Sequence, residues 1–336
     1  MTTLHSIPLD EVDWGALDAY PDRTIFQTRE WLAFIAETQR AEPVVAEVRE
    51  GGALLGFFTG AVIRRFGLRL LGSPFPGWTT AYMGFNLVPG ADRRSALAAL
   101  VPFALRDLRC VHLEVMDRRL TRQDAAGLGY EYGRLPGYEI DLARSEGELF
   151  ARMTGACRRC IRKAQREGVT IEQAHDDGFA DDYHAQLVDV FAKQGLVPTY
   201  GVDRVRSLMR RLLPTGRLLL LRAREPGGRC IATGIFPAMN GTMYFWGGAS
   251  WRPDQHWRPN EALQWHAMRH WREKGIARYD MGGGGDYKAK FGGERIGVPW
   301  FRRSRCRVLA FLRERARGAV RWRQRSSGAR APARVA

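Results

Sequence analysis

The sequence predicts an α/β (α+β) fold built from two similar modules in tandem, each a mixed, mostly antiparallel sheet flanked by helices. Three observations predict it. One order of elements, helices then three strands then helix then strand, is read twice along the chain. Glycine turns join the strands in each reading. Matching elements are offset by about 170 residues, the signature of an internal repeat. The length of 336 residues suits two domains of ordinary size.

In the first half, helical periodicity over 26–38 leads into an apolar run from Val44 to Arg49. Gly51-Gly52 turns the chain into a long strand, Ala53 to Phe66, and a second strand follows from Leu68 to Gly72. A helix from Arg93 to Leu108 then delivers a strand from Val111 to Met116. The second half starts with helical signals over 182–194 and 202–213. Strands follow at Arg217 to Ala223, Cys230 to Pro237 and Thr242 to Trp246, with Gly227-Gly228 at the first turn. A helix from Asn260 to Lys274 leads to the last strand of the pattern, Ile276 to Met281. Turn residues cluster at Leu135-Pro136-Gly137 and from Asp141 to Ser145. We therefore assign 1–140 to an N-terminal module, 145–310 to a C-terminal one that carries the chemistry, and 311–336 to a basic tail.

Composition narrows the class. Hydrophobic content of 45% and charged content of 26% are those of a folded, water-soluble chain. The best apolar run, Ala53 to Ile63, is too short to span a bilayer and contains Gly56, Thr59 and Gly60. Asp10, Glu11 and Asp13 argue against a secretory leader, so a cytoplasmic location is expected. The net charge of +16 is uneven: residues 302–336 hold twelve arginines and Glu314, which is +11, and residues 1–301 hold only +5. A polycationic end meets RNA or phospholipid headgroups at the inner face of a membrane with little selectivity. Five cysteines form no disulfide framework. Cys157-Arg-Arg-Cys160 lacks a second pair, and its cationic neighbours oppose a dication. His266 and His270 lie four residues apart without a third ligand, so no metal site is expected.

Two segments carry chemistry. A helix from Leu149 to Glu167, closed by Gly168, stacks Arg158, Arg162 and Arg166 on one face, flanked by Arg159 and Lys163. Such like charges repel, and a polyphosphate would relieve the repulsion. The other segment is Arg278-Tyr-Asp-Met-Gly-Gly-Gly-Gly-Asp-Tyr-Lys-Ala-Lys-Phe-Gly-Gly293. Only five of 52 basic residues are lysine, yet Lys288 and Lys290 fall here. Lysine is a compact, titratable point charge, which suits an amine or phosphate site better than the fixed guanidinium fork. Upstream, the Gly247-Gly248 strand end lets a ligand approach the backbone, and Asn260 is expected to cap a helix whose N-terminus favours phosphate. These segments are expected to converge on one cleft. Gly282 to Gly285 is not a P-loop, because no Gly-Lys-Ser/Thr follows. The Pro- and aromatic-rich loop from Gly72 to Gly84, with Trp78 and Tyr82, either walls an acceptor pocket or caps the first core.

The pattern resembles the Fem-type and BioF2-like branch of the GNAT acyltransferases. The likeness rests on the tandem modules, the basic helix Arg158 to Gly168, the Pro259-Asn-Glu-Ala-Leu-Gln-Trp265 helix, Tyr279-Asp-Met-Gly-Gly283 and Tyr287-Lys-Ala-Lys-Phe-Gly292. It covers about residues 20–310. The resemblance implies transfer of an acyl or aminoacyl group to an amine. The implied co-substrate is acyl-CoA, as in BioF2-like relatives, or aminoacyl-tRNA, as in Fem-type members that extend peptidoglycan precursors. No permanently bound cofactor is implied. By the same resemblance, Lys290 and Phe291 match the lysine–phenylalanine region near the reacting ester. Arg158, Arg159 and Arg162 match the stretch that meets acceptor phosphates.

The expected roles follow. Amine attack on an ester or thioester builds an oxyanion that Lys290 or backbone N–H groups at Gly247-Gly248 stabilise. Asp280, Asp286 or the substrate itself removes the amine proton. Gly247, Gly248, Asn260, Lys288 and Phe291 are expected on the donor, and Arg158, Arg159, Arg162, Trp78 and Tyr82 on the acceptor. The acceptor is a small or nucleotide-linked amine. Two rivals stand beside acyl-CoA transfer: an aminoacyl-tRNA-dependent enzyme, and a non-catalytic protein that binds RNA or a membrane surface through its tail.

Overall fold

A computed structural model describes residues 1–192, 195–283 and 285–306, apart from the side chain of Asp286. The arginine-rich tail at 311–336 lies outside the described residues. In chain order the elements are β1 (Thr2–Ile7), α1 (Trp14–Asp18), α2 (Arg29–Gln39), β2 (Glu42–Glu50), β3 (Ala53–Arg65), β4 (Leu68–Ser73), β5 (Gly84–Leu87), α3 (Arg93–Pro102), β6 (His112–Met116) and β7 (Glu131–Asp141). They continue with α4 (Glu146–Arg152), α5 (Gly155–Arg166), β8 (Thr170–Gln173), α6 (Gly178–Ala192), α7 (Val202–Leu212), β9 (Leu218–Arg224) and β10 (Cys230–Met239). The last are β11 (Thr242–Tyr244), β12 (Gly247–Ser250), α8 (Pro259–Glu273), β13 (Arg278–Asp280) and β14 (Glu294–Ser304).

The chain divides into two units at Gly137–Tyr138, within β7. Residues 295–306 group with the first unit. In the first unit β1, β2, β3 and β4 form successive antiparallel pairs, and β4 then runs parallel to β6 with Leu70 opposite His112. β14 adds antiparallel to β6, with Phe301 opposite Val115. The β3–β4 hairpin closes on Phe66-Gly67, both with positive φ. Its core gathers Phe58, Leu71, Phe85, Leu97, Leu100, Leu113, Val115 and Phe301, all at most 2% exposed.

The second unit repeats the scheme. β8, β9, β10 and β11 form successive antiparallel pairs, and β11 runs parallel to β13 with Met243 opposite Tyr279. So β2-β3-β4-α3-β6 and β9-β10-β11-α8-β13 have the same order and the same switch from antiparallel to parallel pairing, which is the tandem architecture expected from sequence. α8 lays Leu263, Ala267, Met268 and Trp271 against this sheet, as its spacing predicts. Trp271 anchors the helix further by donating its indole N–H to the Phe236 carbonyl at 3.2 Å.

Two boundaries differ informatively. The single helix expected from Leu149 to Glu167 is two. α4 stops at Met153, and Thr154 restarts the chain by accepting the Cys157 N–H at 3.2 Å. The strand expected from Thr242 to Trp246 ends at Tyr244, and a new one, β12, begins at Gly247. No helix among the described residues is long and apolar enough to cross a membrane.

Candidate active site

The break after Tyr244 opens the site. β11 is bonded to β10 on one side and β13 on the other. Beyond it the two neighbours part. Trp246 donates to the Ile235 carbonyl, and β12 stays on β10, with Gly247 opposite Ile235 and Ala249 opposite Thr233. On the other side Met281 donates to the Tyr138 carbonyl and follows β7. β12 pairs with no second strand among the described residues. A notch therefore opens in the second unit between Gly247–Ser250 and the chain leaving Asp280.

Glycine at the notch edge is forced by packing. A Cβ on Gly247 would lie 2.3 Å from the Tyr183 hydroxyl, which shares a hydrogen bond of 2.9 Å with Tyr200. A Cβ on Gly248 would meet the Phe245 ring at 3.0 Å. Phe245 packs against the core of this unit, and the Lys288 ammonium sits 5.9 Å from its ring centre. Lys288 donates to the carbonyls of Met281 at 2.6 Å and Gly282 at 2.8 Å, so it ties the glycine loop to itself. Burial pushes the Lys288 ammonium below its ordinary value, against the pull of Asp280. Asp280 is buried and accepts the Gly282 N–H at 2.7 Å.

α8 starts at the far end of β12. Pro259 is its first residue, with Arg258 left-handed before it, so Asn260 lies inside the first turn and is not the cap. Asn260 instead donates to the Ser250 hydroxyl at 3.0 Å, tying the helix to β12. Glu261, also in that first turn, pairs with Lys290 at 2.6 Å. The two side chains are 11% and 25% exposed, so the pair is shielded but reachable. The helix dipole favours the Glu261 carboxylate there. Lys290 also sits 4.0 Å from the Tyr287 ring centre and 5.3 Å from that of Phe291. Its carbonyl accepts the Thr154 N–H at 2.9 Å, which binds the lysine turn to the start of α5. An ammonium has three donors, and Glu261 occupies one.

The structure thus brings Gly247, Gly248, Asn260, Lys288, Lys290 and Asp280 to one end of the second unit. Other expected residues are placed differently. Phe291 is 1% exposed and belongs to the core beneath Lys290, so it is no surface for a donor. Arg158 donates to the carbonyls of Ala151 at 2.7 Å and Met153 at 2.6 Å, capping α4. Arg159 is exposed at the start of α5. Arg162 is also exposed, with its guanidinium 5.2 Å from the Phe150 ring. Trp78 and Tyr82 belong to the first unit. There Trp78 packs on Phe75, and the buried Tyr82 packs on Phe26 under Arg118. Asp286 opens the turn Asp286–Phe291, but its side chain lies outside the description.

Sequence reasoning gave Glu261 and Tyr287 no role, and weighed Cys157 only as a metal or redox residue. Glu261 was legible only as a residue of the helix motif, since its partner lies 29 residues on. Cys157 is 1% exposed close to this pair, and burial pushes its thiol up to about 12, well above the usual range.

A sheet parted beside a helix N-terminus, with the same order of elements in each unit, is a GNAT-like fold in tandem. Residues 151–290 match the family model for the acetyltransferase (GNAT) domain. Among solved structures, FemX matches with a TM-score of 0.72 at 13% identity, covering 89% of this chain and 96% of FemX. A tandem GNAT protein from the clavulanic acid biosynthesis pathway gives 0.54 at 13% identity, covering 91% of this chain and 99% of its own. L-PGS from Bacillus licheniformis gives 0.52 at 13% identity, covering 82% and 92%. At these identities the likeness is one of fold. A comparison with curated proteins gave no match.

Proposed function

We propose that the second unit transfers an acyl group from an acyl-CoA-type thioester to an amine on a phosphate-bearing cell-envelope precursor. The observation that carries this reading is the parting of β12 from β13 beside the Lys290–Glu261 pair. The open edge of β12 offers backbone groups to an extended donor arm, as one strand does to another. The donor carbonyl then lies beside Gly248, which is exposed.

The acceptor nitrogen attacks that carbonyl. A C–N bond forms, the carbonyl oxygen gains the charge, and the C–S bond then breaks to release the thiolate. Lys290 retains N–H groups beyond the one on Glu261 and donates to the oxyanion. Glu261, held against that ammonium, or the departing thiolate accepts the amine proton. Lys288 keeps the glycine loop in register and leaves the chemistry to Lys290. The exposed guanidinium groups of Arg159 and Arg162 meet acceptor phosphate.

Aminoacyl-tRNA is the second donor to weigh, because the same exposed arginine face suits an RNA backbone. The test offers purified full-length protein acyl-CoA esters and charged tRNA in parallel, with mass spectrometry of retained ligand and of products. Acyl transfer from the thioester supports the proposal. Transfer from tRNA alone moves the assignment to the second donor, and failure with both donors across a panel of amines sinks it.

A further inference from the structure

Phe66 stands at the tip of the β3–β4 hairpin with 99% of its surface exposed. Its φ is +50°, and Gly67 follows at +76°. A two-residue turn with both residues left-handed favours Asn-Gly, and a bulky residue at its first position is strained. The ring gains no packing in compensation, given its exposure. Leu68, next in β4, is 41% exposed.

The strand pairing collects charge at the same end of the sheet. Arg64 and Arg65 precede the tip, and Arg69 follows it. The parallel β4–β6 register sets Arg109 alongside, with Val111 donating to the Arg69 carbonyl at 2.9 Å. The β14 register brings Arg305, whose N–H meets the Val111 carbonyl at 2.8 Å. Arg40 precedes β2 at this end and is exposed. Glu42 opposes these six arginines, bonded by Arg64 at 3.1 Å and Arg69 at 3.0 Å. Arg106 and Asp107 nearby pair with each other at 2.9 Å. The chain passes out of the described residues here, and its remaining 307–336 hold nine arginines and one glutamate.

We propose that this end of the first unit docks on an anionic lipid surface. Phe66 and Leu68 enter the boundary between headgroups and acyl chains, and the arginines pair with lipid phosphate. A strained apolar residue on a protruding turn, ringed by cations, has the chemistry of an interfacial anchor. Leu68 has no π face to stack on a nucleobase, so hydrocarbon suits the tip better than RNA.

Full-length protein is mixed at physiological salt with vesicles of roughly three parts phosphatidylcholine to one part phosphatidylglycerol, and with phosphatidylcholine alone. The parent is expected to sediment with the anionic vesicles only. Phe66→Asn suits the turn, so it is expected to raise or preserve Tm and to lower partitioning about tenfold. Arg65→Gln is expected to lower it about fivefold, and Phe66→Trp to retain it. Partitioning unchanged in Phe66→Asn overturns the proposal. So does a loss that Phe66→Trp shares, or equal sedimentation of the parent with phosphatidylcholine alone. The assay contains neither donor nor acceptor, so it stands or falls apart from the transferase reading.

Discussion

At the scale of single residues, the proposed transfer rests on the pair Lys290 and Glu261. Lys290→Ala is expected to lower kcat by about 100-fold or more, the usual loss for one oxyanion donor near 3 kcal/mol. Thermal melts run beside the kinetics separate this from unfolding, because removing one partner of a shielded pair also costs stability. A mutant that melts like the parent and turns over like it removes Lys290 from the reaction. Cys157 invites a second measurement. Its thiol is buried and pushed up to about 12, so it is expected to resist iodoacetamide at pH 8, whereas the exposed Cys306 alkylates first. Peptide mapping after timed labelling checks the order.

At the scale of elements, β12 depends on a glycine that Tyr183 demands. Gly247→Ala places a Cβ 2.3 Å from a buried hydroxyl, and is expected to destabilise by about 1–3 kcal/mol. Tyr183→Phe in the same chain removes that oxygen and should recover part of the loss, a coupling that a double-mutant cycle in urea reads directly. Additive effects would mean that β12 is not seated against α6 as described. This element also shows where sequence reading stops. Alternating apolar residues and glycine turns made β2, β3, β9 and β10 legible, because their pattern is local. Gly247-Gly248-Ala249-Ser250 has no strand propensity and is a strand only because β10 pairs with it. The division of α4 from α5 was hidden likewise. Arg152-Met153-Thr154 reads as helix, and the stop shows only in the Thr154 cap and the Lys290 carbonyl that binds its N–H. Lys290 itself was legible as a scarce residue type in an unusual loop. Its carboxylate partner was not, since nothing local links positions 29 residues apart.

At the scale of the whole molecule, stability is expected to fall away on the acid side. Arg222 grips Asp176 through two hydrogen bonds, at 2.6 and 2.8 Å, and also Asp182 at 2.7 Å. The bonds from Arg222 hold the Asp176 carboxyl at about 2, below its ordinary 3.8. The folded value is depressed, so this contribution is present above the ordinary value and is lost as pH falls from there through about 2. Asp254 under Arg229 and Glu172 under Arg224 are lowered in the same sense. Asp176→Asn is expected to reduce stability at neutral pH slightly, since Asp176 is largely exposed, and to flatten the profile between about pH 4 and pH 2. Melting curves across that range check it, and an unaltered slope refutes the assignment.

The parted strands have a last consequence. Each side of the opening is already secured by its own neighbour, β12 by β10 and Met281 by Tyr138. The entrance is therefore cut into rigid framework, and a substrate need not pry the molecule apart to get in. Association should proceed without a slow isomerisation, and exchange of backbone amides along β10 should stay equally slow before and after the substrate arrives.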